Sequence, residues 1–259
     1  PAGLASIMVQ VISRPILLYL TNEETVGIFQ ANFKLGIFMM LIVSMFEYAW
    51  RPFFLNNAND KNAKVIFSKV MLLFVGITSI VLITLTYFIE DVIKIPLRGR
   101  GYLIGSKYWS GVYIVPVVLF GYLIYGIYIN LMAGIYIEKK TKYLPYITGL
   151  GALINICGNF ILIPLIGIFG AALSSFLSFL AMTVYIYKVS QRFYPVAFEM
   201  NKIYIINCVN IIALVIFYYY YYQNINIDLM VKIFFVLIFI TPIIFISRLW
   251  KIKYLITNY

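Results

Sequence analysis

Two basic residues stand deep inside apolar stretches, where charge is costly. Arg14 lies in the run Gly3 to Leu20, about six residues from its end, and Lys34 lies in the run Val26 to Phe46, about eight from its start. A helix rises ~1.5 Å per residue, so both would sit ~10 Å deep in a membrane on antiparallel neighbours joined by Thr21 to Thr25. Each charge costs ~2.5–3.5 kcal/mol there, and neither has a carboxylate within a helical turn. The pair therefore suits a buried anion. The competing account is snorkelling, in which the long stems carry both charges back to the interface. Gln10 precedes Arg14 by four residues and Gln30 precedes Lys34 by four, so each polar face extends by one turn. Pro15 leaves the carbonyl of Val11 without a helical donor, which predicts a kink.

Other polar side chains recur at helical spacing. Asn155 and Asn159 stand four apart between Gly151 and Gly158, and amides in a lipid span should face protein or a water-filled cavity. Tyr122, Tyr125 and Tyr128 lie three apart, followed by Asn130 and Tyr136, as a packing stripe or as a cavity lining on which sugar rings could stack. Glu47 and Arg51, four apart with Trp50 between, read as an ion pair with an interfacial anchor or as an inner gate. Lys232, three residues into the last run, is a snorkelling lysine.

The absence of histidine excludes imidazole metal ligands and Ser-His-Asp chemistry, and Cys157 and Cys208 fall in apolar runs as packing residues. The acidic pairs Glu23-Glu24 and Glu90-Asp91 lie at helix ends in turn chemistry. We expect no metal site, no cofactor and no enzymatic activity.

The elements that position these residues are set by composition. With 63% hydrophobic and 11% charged residues, the chain reads as an all-α integral membrane protein. Eight spans are expected: Gly3 to Leu20, Val26 to Phe46, Val70 to Ile89, Val112 to Ile137, Tyr146 to Pro164, Gly170 to Tyr187, Tyr204 to Tyr222, and Leu229 to Ser247. Connections after the even-numbered spans, with the tail, carry thirteen Lys and Arg, against four in the other connections, all between residues 90 and 109. The positive-inside rule then places the C-terminus and residue 1 in the cytoplasm and loop 90–109, with Arg98 and Arg100, outside. Asn59-Asp60-Lys61 should open a short amphipathic piece on the cytoplasmic surface. Gly170, Ser174 and Ser178, with Ala171 and Ser175 beside them, form a small-residue face for close helix packing after the Ile166-Gly167 hinge.

The stretch GIYIEKKTKYLPYITGLGALINICGNFILIPLIGIFGAALSS resembles polysaccharide-transport flippases of the MOP (multidrug/oligosaccharidyl-lipid/polysaccharide) exporter superfamily. So do VGIFQANFKLGIFMMLIVSMFEYAWRPFF and YWSGVYIVPVVLFGYLIYGIYINL, and together they cover most of residues 1–200. The resemblance implies the second six-helix half of a MATE-like flippase fold in residues 1–190, and a terminal helix pair in 191–259. It also implies a missing N-terminal helix bundle of the same chain, since the sequence opens at Pro1 without Met. The implied function is alternating-access export of undecaprenyl-diphosphate-linked oligosaccharide across a bacterial inner membrane, for surface polysaccharide, lipopolysaccharide or O-antigen assembly. Arg14 and Lys34 would then engage the diphosphate. The alternatives are a multidrug antiporter, which would favour cavity carboxylates, and a membrane-embedded glycosyltransferase or polymerase, which would need paired carboxylates or a large outer loop. No nucleic-acid partner is expected.

Overall fold

Apolar runs this long fold as helices because hydrocarbon offers no partner for an unpaired N–H or C=O. The computed structural model describes residues 11–97, 101–223, 225, 227–247 and 249. In chain order the helices are α1 (Ser13–Leu20), α2 (Glu23–Phe33), α3 (Ile37–Asn56), α4 (Ala63–Ile93), α5 (Val115–Ile137), α6 (Leu144–Ile166), α7 (Ile168–Phe193), α8 (Met200–Tyr222) and α9 (Leu229–Ser247). A 3-10 turn, Lys34–Gly36, joins α2 to α3, and another 3-10 segment, Ser106–Ile114, leads into α5. Among the described residues, seven helical stretches are long and apolar enough to cross a membrane, so the chain is an all-α membrane bundle. Residues 3–10 of the first expected span lie outside the described residues.

Several helices outrun the apolar windows that announced them. The connection between α1 and α2 is Thr21 and Asn22, shorter than the expected Thr21 to Thr25, because Asn22 caps α2 by accepting the Thr25 N–H at 2.9 Å. Glu23 and Glu24 occupy the first turn, where carboxylates complement the helix dipole. The expected cytoplasmic surface piece after Asp60 is instead the first turns of α4, which run without a break into the span. Pro15 stands in the first turn of α1, where its missing N–H has no partner to lose. The stretch after α4 is folded: β1 (Pro96–Leu97) pairs antiparallel with β2 (Gly101–Tyr102), and Trp109 Nε1 donates to the Ile104 carbonyl at 2.8 Å.

The chain divides into two compact units, Pro1–Asp60 with Glu90–Pro195, and Lys61–Ile89 with Val196–Tyr259. In the first, α5 is central: every residue is buried except Tyr125, Tyr136 and Ile137. α7 packs along both α5 and α6, while α3 lies on α5 and α1 on α6. Gly167 makes the tight α6–α7 turn with φ +59°, a value that favours glycine. Gly170 then meets the backbone of Leu162 so closely that a Cβ would not fit. Ser178 donates to the Gly151 carbonyl at 2.7 Å, and Ser174 and Ser178 are fully buried. The small-residue face of α7 thus packs on α6. Tyr146, Leu153, Phe160, Ile161 and Leu165 form the exposed apolar side of α6.

The second unit groups most of α4 with α8 and α9, whereas the sequence reading assigned that helix to the bundle of residues 1–190. Polar contacts inside this unit carry the difference. Asn210 Nδ2 donates to Ser79 Oγ at 2.8 Å, Tyr87 Oη to the Ala213 carbonyl at 3.0 Å, and Ser68 Oγ to the Ala197 carbonyl at 2.9 Å. Rings of Phe217, Phe235 and Phe239 surround Tyr87.

Candidate functional site

A buried polar knot ties α1 to α6 and α7. Ser13 Oγ donates to Asn155 Oδ1 at 3.3 Å and accepts from Asn159 Nδ2 at 3.0 Å. Asn159 Nδ2 also lies 2.9 Å from Asn155 Oδ1, and Asn155 Nδ2 donates to Ser175 Oγ at 3.3 Å. Asn155 and Asn159 are fully buried, so these two expected cavity residues make interhelical hydrogen bonds within the protein. Asn159 Oδ1 is buried without a hydrogen-bond partner.

Arg14 follows Ser13 and is half-buried, with a buried Nε that makes no hydrogen bond. Its guanidinium lies within electrostatic range of the Tyr122 phenol on α5. Among the described residues no carboxylate pairs with it. Lys34 is exposed on the surface of the same unit and opens the 3-10 turn that separates α2 from α3. A break of this kind inside a spanning stretch marks a place where the helix can bend. The turn is held against α5: a Cβ on Gly36 would lie 2.6 Å from Val118 Cγ1 and 2.9 Å from Tyr122 Cε2. The Phe33 ring meets Tyr122 edge-on, 6.2 Å between centroids. Arg14 and the segment that carries Lys34 therefore share Tyr122 as a neighbour. α2 starts at Glu23, so Lys34 lies about 16 Å along it, and equal depth with Arg14 requires the Glu23–Glu24 turn to stand above the hydrocarbon.

The aromatic stripe on α5 is packed rather than open. Tyr122 is 4% exposed and its ring lies 6.0 Å from that of Phe179. Tyr125 is half-buried, 5.1 Å from Phe179 and stacked on Tyr128 at 5.7 Å.

Towards the other end of α3, Arg51 and Glu47 form the expected ion pair at 2.8 Å, and the Arg51 guanidinium stands 5.4 Å from the Tyr136 ring centroid. Trp50 between them is a core residue, 4% exposed, with Nε1 3.4 Å from the Asn130 carbonyl. A cavity of about 10 Å³, room for one water, lies against Glu47, Arg51 and Tyr136. Gln30 is half-buried, and Gln10 lies outside the described residues, as do Arg98 and Arg100.

Ser13, Ser175 and Asn32 were missed as site residues in the sequence. Asn32 is fully buried and its Nδ2 donates to the Tyr108 carbonyl at 2.8 Å, clamping α2 to the 3-10 segment. Its spacing of two from Gln30 and from Lys34 puts it off their helix face, which is why the four-residue pattern passed over it. A cleft of about 380 Å³ beside it is lined by Glu23, Glu24, Gly27, Ile28, Lys107 and Tyr108. Among the described residues no group of His, Cys, Asp and Glu has the arrangement of a metal site. Comparison of the chain with protein-family models, with curated proteins and with solved structures gives no match.

Proposed function

We propose that this chain forms part of a transporter that moves an undecaprenyl-diphosphate-linked oligosaccharide from the cytoplasmic to the outer leaflet of a bacterial inner membrane. The observation that carries the reading is Arg14: a cation within a spanning bundle, half-buried, its Nε unpartnered, with no carboxylate paired to it among the described residues. Such a charge is costly in hydrocarbon and a counter-ion offsets that cost; a diphosphate offers oxygen acceptors for its planar fork. Lys34, on the adjoining helix stretch, is a second cation that the same anion would engage as it passes. The 3-10 break at Lys34 supplies a bending point for alternating access. The C-terminus is assigned to the cytoplasm and residues 90–109 to the outer side, from the thirteen-to-four distribution of basic residues.

The test is lipid-linked oligosaccharide export in flippase-null cells complemented with the full chain. Arg14→Ala and Lys34→Ala should each abolish or sharply reduce export at normal protein abundance, and Lys34→Arg should retain part of it, because charge is kept. Lys232→Ala should be silent. Full export by the Arg14→Ala, Lys34→Ala double variant at normal abundance would overturn the reading.

A further inference from the structure

We propose that the hydroxyls of Tyr122, Tyr125 and Tyr128 form a hydrogen-bonding track for the glycan part of the substrate, running along α5 between Arg14 and the Glu47–Arg51 pair. The proposal rests on the transport reading above and names the groups that would recognise the sugar. A spacing of three keeps the phenols on one side of the helix. At one end, Tyr122 is within electrostatic range of Arg14. At the other, Tyr125 is within range of both Glu47 and Arg51, and Tyr128 of Glu47. Within the row, Tyr125 and Tyr128 stack at 5.7 Å with an interplanar angle of 18°, and Tyr122 and Tyr125 both pack against Phe179.

What each tyrosine offers is its oxygen. The rings pack against Phe33, Phe179 and one another. Among the described residues none of the three hydroxyls makes a hydrogen bond, and none is among the polar atoms sealed inside the bundle, which include Arg14 Nε, Asn130 Oδ1 and Asn159 Oδ1. Tyr122 and Tyr128 are each 4% exposed and Tyr125 is half-buried, so the three oxygens lie at the edge of the packed rings without being sealed. An unpaired hydroxyl inside a spanning bundle is costly without a partner, and three in a row call for a guest that carries hydroxyls along its length. A phenol both donates and accepts, as a sugar hydroxyl does, whereas an anion needs donors only and is matched by Arg14. A neutral polyhydroxylated chain, anchored by its diphosphate at Arg14, is the occupant this row fits. A file of water is the other occupant, and the experiment separates the two.

The full chain in lipid nanodiscs is titrated with undecaprenyl diphosphate, and with the same lipid carrying an oligosaccharide of hexose and N-acetylhexosamine units. Tyrosine to phenylalanine removes the oxygen and keeps the ring contacts, so packing is preserved. Each of Tyr122→Phe, Tyr125→Phe and Tyr128→Phe should weaken the glycosylated lipid about fivefold, the worth of one hydrogen bond, and the triple variant roughly 100-fold. Undecaprenyl diphosphate should bind the triple variant as it binds the parent, and Arg14→Ala should weaken both lipids alike. A triple variant that keeps the parent's preference for the glycosylated lipid overturns the track and assigns the hydroxyls to water. Equal loss of both lipids also overturns it, placing the hydroxyls at the diphosphate, while the transport reading stands. If the parent binds neither lipid, the transport reading fails and the track with it.

Discussion

Ser13 and Arg14 are adjacent in sequence and opposite in circumstance. The serine is 2% exposed and bonded to both Asn155 and Asn159; the arginine beside it keeps a buried nitrogen unpaired. Consecutive helical residues point about 100° apart, so one turn of α1 serves both a packing contact with α6 and a half-buried charge. The knot around Asn155 should act as structure. Asn155→Ala removes side-chain hydrogen bonds to Ser13, Asn159 and Ser175 at once, although each keeps another partner, and membrane hydrogen bonds average ~0.6 and reach ~1.7 kcal/mol, so we expect a loss of about 1–2 kcal/mol in detergent unfolding. Unchanged unfolding would show that water replaces the amide and that the knot borders a cavity. The identity of these residues as buried polar groups was legible from their type and spacing. Their partners were not, because Ser13 lies 142 positions from Asn155 and a lone serine carries no spacing signal.

Among the elements, α7 is defined by what it lacks. Gly170, Ser174 and Ser178 present so little side chain that α6 approaches to backbone contact, and without a hydrophobic drive between helices in lipid that closeness supplies the packing. Gly170→Leu should force the two helices apart and leave little folded protein in the membrane, read as fluorescence-detected size exclusion of a tagged chain. A monodisperse variant at parental yield would mean that this face does not carry the bundle. The α6–α7 hairpin was legible because small residues every four positions have one structural use. The α2–α3 break at Lys34–Gly36 was not, since it depends on how Gly36 seats against Val118 and Tyr122.

At the scale of the molecule, the distribution of basic residues makes a topological claim. A cysteine at Ser106 should react with an impermeant maleimide in intact cells, and a C-terminal tag should resist external protease. Ser106→Cys labelling only after permeabilisation of the inner membrane would invert the assignment and place the 380 Å³ cleft near Lys107 on the cytoplasmic side. The grouping of α4 with α8 and α9 belongs to this scale too. It is built from contacts such as Asn210 with Ser79, spanning 131 positions, and hydropathy assigns no helix to one bundle or another.

Composition alone determined that the chain is a bundle of membrane helices, because 63% hydrophobic residues in runs of spanning length have no other way to satisfy their backbone in lipid. Residue type and spacing determined which positions would be polar in that bundle and which helix faces would pack closely. Tertiary structure decided what those positions do. It turned the asparagines into a knot and the tyrosine rings into packing, and it left Arg14 with a buried Nε that finds no partner among the described residues, while Lys34 stayed at the surface. The reason is physical: periodicity fixes the direction of a side chain about its own helix, and a partner is fixed only when another helix, distant in sequence, is laid against it.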